Sequence, residues 1–258
     1  MSTSHLKHSG IFTTKPENFT TYCDEVLRLY MDSEEIIQAG RNTLKMIVIE
    51  GTTCVIKAFR IPNFPQDYGY GIFAKSKAHK SYDNASKLIE LGFLSPKPIG
   101  YFDYRSKGKL INSYYLCEYE ENTKTLDQLL KENPALDKNL IHQFTEFSYK
   151  LHQNGVLHRD FNPKNILIST VRDEYTFSLV DINRITWFKK LSLQQSMHSL
   201  SRLPFNDKVN DALVEHYAHL AKVELDQCHT LLNQSKAKTQ RYFRNKKRFR
   251  KIFPKRKK

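Results

Sequence analysis

The spacing of apolar positions changes along the chain, and the changes mark out its elements. A polar first stretch carries one expected helix, Tyr22–Tyr30. Three segments, Thr43–Glu50, Thr53–Arg60 and Ser113–Tyr119, have the β-branched and aromatic character of strands. Between the second and third, Lys75–Leu91 spaces Ala78, Tyr82, Ala85, Leu88 and Ile89 as a helical stripe, which Gly92 closes. Pro96 and Pro98 then begin an extended connection. Strands and one helix in this order predict a small α+β lobe.

After Tyr119 the pattern becomes mainly helical. Thr125–Glu132 reads as a short helix with Thr125 as N-cap. Asp137–Asn154 reads as a longer one, with Leu140, Phe144, Phe147 and Leu151 on one face and Gly155 as its stop. Ile166–Ser169 and Tyr175–Val180 are strand-like and flank a polar turn, Val171–Glu174. Beyond them the regular structure is helical, notably Asp207–Asn233. The expected organisation is an N-terminal extension (1–33), a β-rich lobe (34–118), a mainly helical lobe (119–235) and a tail (236–258).

At 258 residues the chain is long enough for one large domain or two small lobes. No stretch approaches the roughly 20 apolar residues of a membrane span. The polar residues Met1–Gly10 lack a signal-peptide core. Cys23, Cys54, Cys117 and Cys228 are scattered without a C-x-x-C pair, which argues for buried thiols in a reducing compartment. A cytoplasmic protein is expected. The formal net charge of +14 is local: residues 236–258 hold thirteen of the 41 Lys and Arg and no acid. The remainder carries 28 basic against 27 acidic side chains.

The densest chemistry is His158-Arg-Asp-Phe-Asn-Pro-Lys-Asn165, followed sixteen residues later by Asp181 in Val-Asp-Ile-Asn. An H-R-D-x-x-x-x-N loop, two short strands and a terminal Asp form the arrangement of kinase-type phosphotransferases. Asp160 suits a general base for an attacking hydroxyl. Asn165 and Asp181 offer the hard oxygen ligands that Mg²⁺ requires. Lys57, in the β-branched run Cys-Val-Ile-Lys-Ala-Phe, lies about a hundred residues earlier and matches a phosphate-binding strand lysine.

These segments resemble the lipopolysaccharide kinase family, bacterial enzymes that phosphorylate Kdo or heptose sugars of the lipid A inner core. The likeness covers roughly residues 36 to 205. It rests on Gly40-Arg-Asn-Thr, Val55-Ile-Lys-Ala-Phe, Lys75-Ser-Lys-Ala, Leu91-Gly-Phe-Leu-Ser-Pro-Lys-Pro-Ile, Leu157-His-Arg-Asp-Phe-Asn-Pro-Lys-Asn-Ile-Leu and Leu179-Val-Asp-Ile-Asn-Arg. The resemblance implies a two-lobed protein-kinase-like α+β fold, with a small β-rich N-lobe carrying one helix and a shortened helical C-lobe. It implies ATP and Mg²⁺ as cofactors, Lys57 for ATP phosphates, Asp160 as base, and Asn165 and Asp181 for metal. Gly40, Arg41 and Asn42 stand in for the absent G-x-G-x-x-G, and Lys164 and Glu118 join the nucleotide-binding candidates. The helix that should offer Lys57 a Glu shows Asp83, which becomes the expected partner.

The acceptor expected is a sugar. Asn162 replaces the Lys that serine/threonine kinases carry two residues after the Asp, and no A-P-E follows Asp181. Other readings are a kinase of another small molecule or glycoconjugate, a catalytically silent kinase-like binding protein, and a basic-tailed RNA-associated protein. Residues 236–258 taken alone fit an amphipathic membrane-surface helix, a solvated charge run or a nucleic-acid contact. A lipid-borne substrate favours the first, an anionic inner-membrane surface reached from the cytoplasmic side. Nucleic acid is then not expected as a partner, and no protein partner can be inferred.

Overall fold

In the N-terminal half, alternating residues build one six-stranded antiparallel sheet: β1 (Leu6–Phe12), β2 (Ile36–Gln38), β3 (Asn42–Ile49), β4 (Thr52–Phe59), β5 (Pro98–Ser106) and β6 (Lys109–Glu118), ordered β1-β5-β6-β4-β3-β2. The computed structural model describes residues 6–40, 42–59, 75–107, 109–172 and 174–252. They divide into a first unit, reaching Thr123 and including Ser178–Arg184, and a second, Lys124–Phe177 with the chain from Ile185 onward.

In the first unit α1 (Phe19–Asp32) buries Cys23, Val26 and Tyr30 against Phe12, Ile47, Ile56, Phe102, Tyr104, Tyr114 and Leu116 of the sheet. Strand alternation sends Lys57 to the face opposite Ile56. On that face α2 (Lys77–Glu90) packs through Ala78, Ala85 and Leu88, and its His79 stacks on Tyr101.

Six strands stand where three were expected. Pro98 opens β5 instead of a connection, as proline can at the first residue of a strand. The N-terminal stretch is likewise part of this sheet and its core, through β1 and α1. The mixed sequence Leu-Lys-His-Ser-Gly-Ile-Phe conceals β1, whose pairing needs small residues: a Cβ at Gly10 would strike the Tyr101 carbonyl, and one at Gly100 the Phe12 ring. Arg60, expected to end the second strand, lies outside the described residues.

The second unit contains β7 (Lys124–Thr125), α3 (Leu126–Glu132), α4 (Lys138–Gln153), β8 (Val156–His158), β9 (Ile166–Val171), β10 (Glu174–Leu179, whose last residues belong to the first unit), β11 (Ile185–Trp187), α5 (Leu193–Leu200), α6 (Asp207–Ala221) and α7 (Leu225–Ile252). Thr125 caps α3 in a reciprocal box with Gln128, and Asp137 caps α4. Gly155 ends α4 at φ +70°, where a Cβ would meet the Phe188 carbonyl. Phe144 of α4 gathers the rings of Phe161, Phe177 and Phe205. The helical stretch expected over Asp207–Asn233 is divided between two helices: Lys222 turns left-handed at φ +54° and closes α6. α7 then runs on into the basic stretch to Ile252, and residues 253–258 lie outside the described residues.

One buried histidine links this core to pH. His152 of α4 sits 2.9 Å from the Tyr217 hydroxyl, and burial pushes its pKa down to about 3. The unfolded chain takes up that proton near 6.5, so stability is complete above 6.5 and is lost as pH falls towards 3. One such group contributes a slope of up to about 1.4 kcal/mol per pH unit in that window. Urea unfolding should therefore show a lower midpoint at pH 5 than at pH 7.5, with a shallower pH dependence in His152→Gln. An equal dependence in both proteins would reject the assignment.

Candidate active site

The first unit contributes a lysine–aspartate pair. Lys57 projects from β4, its backbone opposite Tyr115 of β6, and its Nζ lies 2.5 Å from Asp181 Oδ1. Both side chains are largely shielded, 12% and 29% exposed, which strengthens the attraction relative to a surface pair. Asp181 follows β10 in a left-handed backbone conformation at φ +54°, unusual for a residue with a side chain. Several bonds hold it there. Asn183 Nδ2 donates to Asp181 Oδ1 at 3.1 Å, Asn84 Nδ2 of α2 to the Ile182 carbonyl at 2.7 Å, and Ser95 Oγ to the Leu179 carbonyl at 2.9 Å. Strain of this kind persists only where surrounding contacts over-determine it, and it concentrates at functional sites.

Asp83 is not the partner of Lys57. It bonds Lys75 at 2.5 Å and approaches His79 one helical turn earlier. A side chain as short as Asp, more than a third exposed on α2, is committed to its own helix end. Asp181 takes the lysine. Glu118 ends β6 and pairs with Lys97 at 2.7 Å on an exposed surface. Gly40 is exposed in the bend before β3, and Asn42 opens β3 opposite Phe59. Arg41 lies outside the described residues.

The second unit contributes the loop around Asp160. Its anchor is β8, where buried His158 pairs with Ile185 of β11 and accepts the Asp160 N–H on Nδ1 at 3.1 Å. Phe161 points the other way into the core, 1% exposed. Asn162 Nδ2 donates to the Asp160 carboxylate at 3.0 Å and to its carbonyl at 3.1 Å. Asn165 Nδ2 donates to the same carbonyl at 2.9 Å, so Asn165 Oδ1 is the atom with metal-ligand chemistry. Lys164 is exposed, its N–H held by Asn162 Oδ1 at 3.0 Å. Arg159 Nε donates to Thr186 Oγ1 at 3.0 Å, a loop-shaping contact.

The loop thus gathers Asp160, Asn162, Lys164 and Asn165, while the first unit gathers Lys57 and Asp181. Asn84, Ser95, Asn183 and Glu120 escaped sequence reasoning. Asn84 had a signal: a poor helix former on the buried face of α2, beside Ala78, Ala85 and Leu88. Glu120, just past β6, accepts a 2.7 Å bond from Ser178, and burial raises its pKa despite that hydroxyl. Among the described residues no group of three His, Cys, Asp or Glu forms a metal cluster. Asn165 Oδ1 in the second unit and the Asp181 carboxylate in the first are each a hard oxygen donor of the kind Mg²⁺ prefers.

A β-rich N-terminal part presenting a lysine–aspartate pair, followed by a helical part presenting an H-R-D-x-x-x-x-N loop, makes this a protein-kinase-like protein. A solved structure titled "WaaP in complex with acyl carrier protein" shares the fold at a TM-score of 0.62, with 14% identity, 90% of this chain and 98% of that one covered. The chain belongs to the lipopolysaccharide kinase (Kdo/WaaP) family, whose model matches residues 61–222. The match includes Asp160, Asn165 and Asp181 and begins beyond Lys57. The chain is 26% identical over 117 residues to a 3-deoxy-D-manno-octulosonic acid kinase of Mannheimia succiniciproducens, and 30% identical over 120 residues to one of Haemophilus influenzae. Each alignment covers 45% of this chain and 48% of the relative, so the chain spans about half the length of the curated relatives it matches.

Proposed function

We propose that this protein is an ATP- and Mg²⁺-dependent kinase that phosphorylates a sugar hydroxyl of the lipid A inner core. The observation that carries the reading is the Asp160 loop, folded on its own hydrogen bonds inside the family match. The relatives' names support 3-deoxy-D-manno-octulosonic acid (Kdo) over heptose as acceptor. ATP supplies the phosphoryl group, and Mg²⁺ neutralises its charge. Lys57 would bind the α- and β-phosphates, Asp181 of the first unit and Asn165 Oδ1 of the second would each offer an oxygen to a metal, and Asp160 would orient the sugar hydroxyl and take its proton. Gly40 in the bend before β3 and Asn42 at the start of β3 would contribute to covering the nucleotide. Incubation with ATP, Mg²⁺ and Kdo-lipid A should add the mass of one phosphate to the lipid. No phosphate on any lipid A core intermediate would reject the reading in favour of another acceptor or a silent binding protein.

The basic stretch of α7 supports docking on the cytoplasmic face of an anionic membrane. No helix among the described residues is long and apolar enough to cross one. Cys228, Leu232 and Ser235 are buried, whereas Arg241 and Arg244 are exposed, so a cut after Ser235 leaves the packed turns of α7 in place. Each Lys or Arg near the surface contributes about 1 kcal/mol. Protein ending at Ser235 should lose flotation with phosphatidylserine or phosphatidylglycerol vesicles. Undiminished flotation would remove the anchor.

A further inference from the structure

Glu120 is a carboxylate that neither the motif nor the ion pair uses, yet it completes a ring of contacts that includes Lys57 and Asp181. The ring starts at β4, which pairs with β6 through Val55–Cys117 and Lys57–Tyr115. The chain leaves β6 under control: the Glu118 N–H reaches the Lys97 carbonyl at 2.9 Å and the Tyr119 N–H the Thr53 carbonyl at 3.0 Å. Thr123 Oγ1 then donates to the Glu120 carbonyl at 3.1 Å, folding the exit segment back on itself. Glu120 Oε1 accepts the 2.7 Å bond from Ser178, whose side chain is buried near the end of β10, three residues before Asp181. Asp181 returns the ring to Lys57.

Asn84 and Ser95 donate to backbone carbonyls of this segment. Glu120 grips a side chain and couples it to the strand pair that carries the lysine. The geometry points to Glu120 as a positioning residue that, through Ser178, holds Asp181 in the left-handed conformation needed for metal-nucleotide binding. This rests on the kinase reading for its ligand, though the mechanical link itself does not. Charge-assisted bonds to buried hydroxyls are among the stronger ones, so the segment Ser178–Asn183 should be measurably tighter with Glu120 than without it.

The test compares wild type, Glu120→Gln, Glu120→Ala, Ser178→Ala and the double alanine variant as full-length proteins. Amide hydrogen exchange without nucleotide reads the 178–183 segment directly. Titration of ATP at several Mg²⁺ concentrations reads the metal requirement. Glu120→Ala and Ser178→Ala should each speed exchange and raise the half-saturating Mg²⁺ by about tenfold, the scale of one charged hydrogen bond. The double variant should be no worse than either single one, since both remove the same bond. Glu120→Gln keeps an acceptor oxygen but loses the charge, so it should fall between wild type and Glu120→Ala, a graded order that a general loss of stability would not explain. Wild-type exchange and Mg²⁺ requirement in Glu120→Ala overturn the proposal, as does full additivity. Failure of wild-type protein to bind ATP defeats the kinase reading instead, and the exchange comparison still decides whether Glu120 holds Asp181.

Discussion

Asp160→Asn should lower phosphate transfer by about 10²–10⁴-fold, the usual contribution of a positioned general base, while the protein folds as before. The substitution is nearly isosteric. An amide oxygen at the same place can still accept the 3.0 Å bond from Asn162 Nδ2. The Asp160 carbonyl, which receives both Asn162 and Asn165, is untouched, as is the N–H held by His158. The loop keeps its shape and loses only the group that can take a proton. Single-turnover kinetics with Kdo-lipid A should therefore show a fall in the chemical step with ATP affinity retained. Turnover within a fewfold of wild type would remove Asp160 from the base role, and a collapsed melting transition would show that the loss was structural.

The second large effect is expected at Lys57. Lys57→Met keeps the aliphatic stem that lies along β4 and removes the ammonium, so Asp181 is left partly buried without its cation. A lost charged hydrogen bond of about 1.5–3 kcal/mol corresponds to roughly a 10- to 150-fold loss of ATP affinity. Arg should not restore function, because a planar fork does not replace a compact ammonium at 2.5 Å from one carboxylate oxygen. Stability and activity should separate in the double variant Lys57→Met/Asp181→Asn. Neutralising the carboxylate should recover part of the lost denaturant midpoint, whereas nucleotide binding should stay poor because the proposed metal ligand is gone as well. Recovery of ATP binding along with stability would mean that Asp181 serves only to balance Lys57.

The loop residues could be found in the sequence because their chemistry is local. His158 to Asn165 span eight residues, and the hydrogen bonds around Asp160 run among them, whereas the Arg159 bond to Thr186 comes from the paired strand. Helix limits were legible for the same reason: Thr125 and Asp137 satisfy N–H groups three residues ahead, and Gly155 supplies the positive φ that ends α4. The partner of Lys57 was not legible. It lies 124 residues away, and the acid that helix spacing suggested, Asp83, pairs with its own helix end. β1 escaped for a related reason, since a polar strand with a glycine gains its stability from a neighbour that only folding supplies, whereas β5 was hidden by the proline at its start.

By itself the sequence determined the elements with strong periodicity, the H-R-D-x-x-x-x-N loop and the family, because each is written in residues close together along the chain. The tertiary structure alone decided that Asp181 takes Lys57, that Asn84 and Ser95 brace the strained turn, and that Glu120 reaches Ser178. Those pairings depend on which strand faces meet and how far side chains reach, quantities that no local pattern of residues encodes.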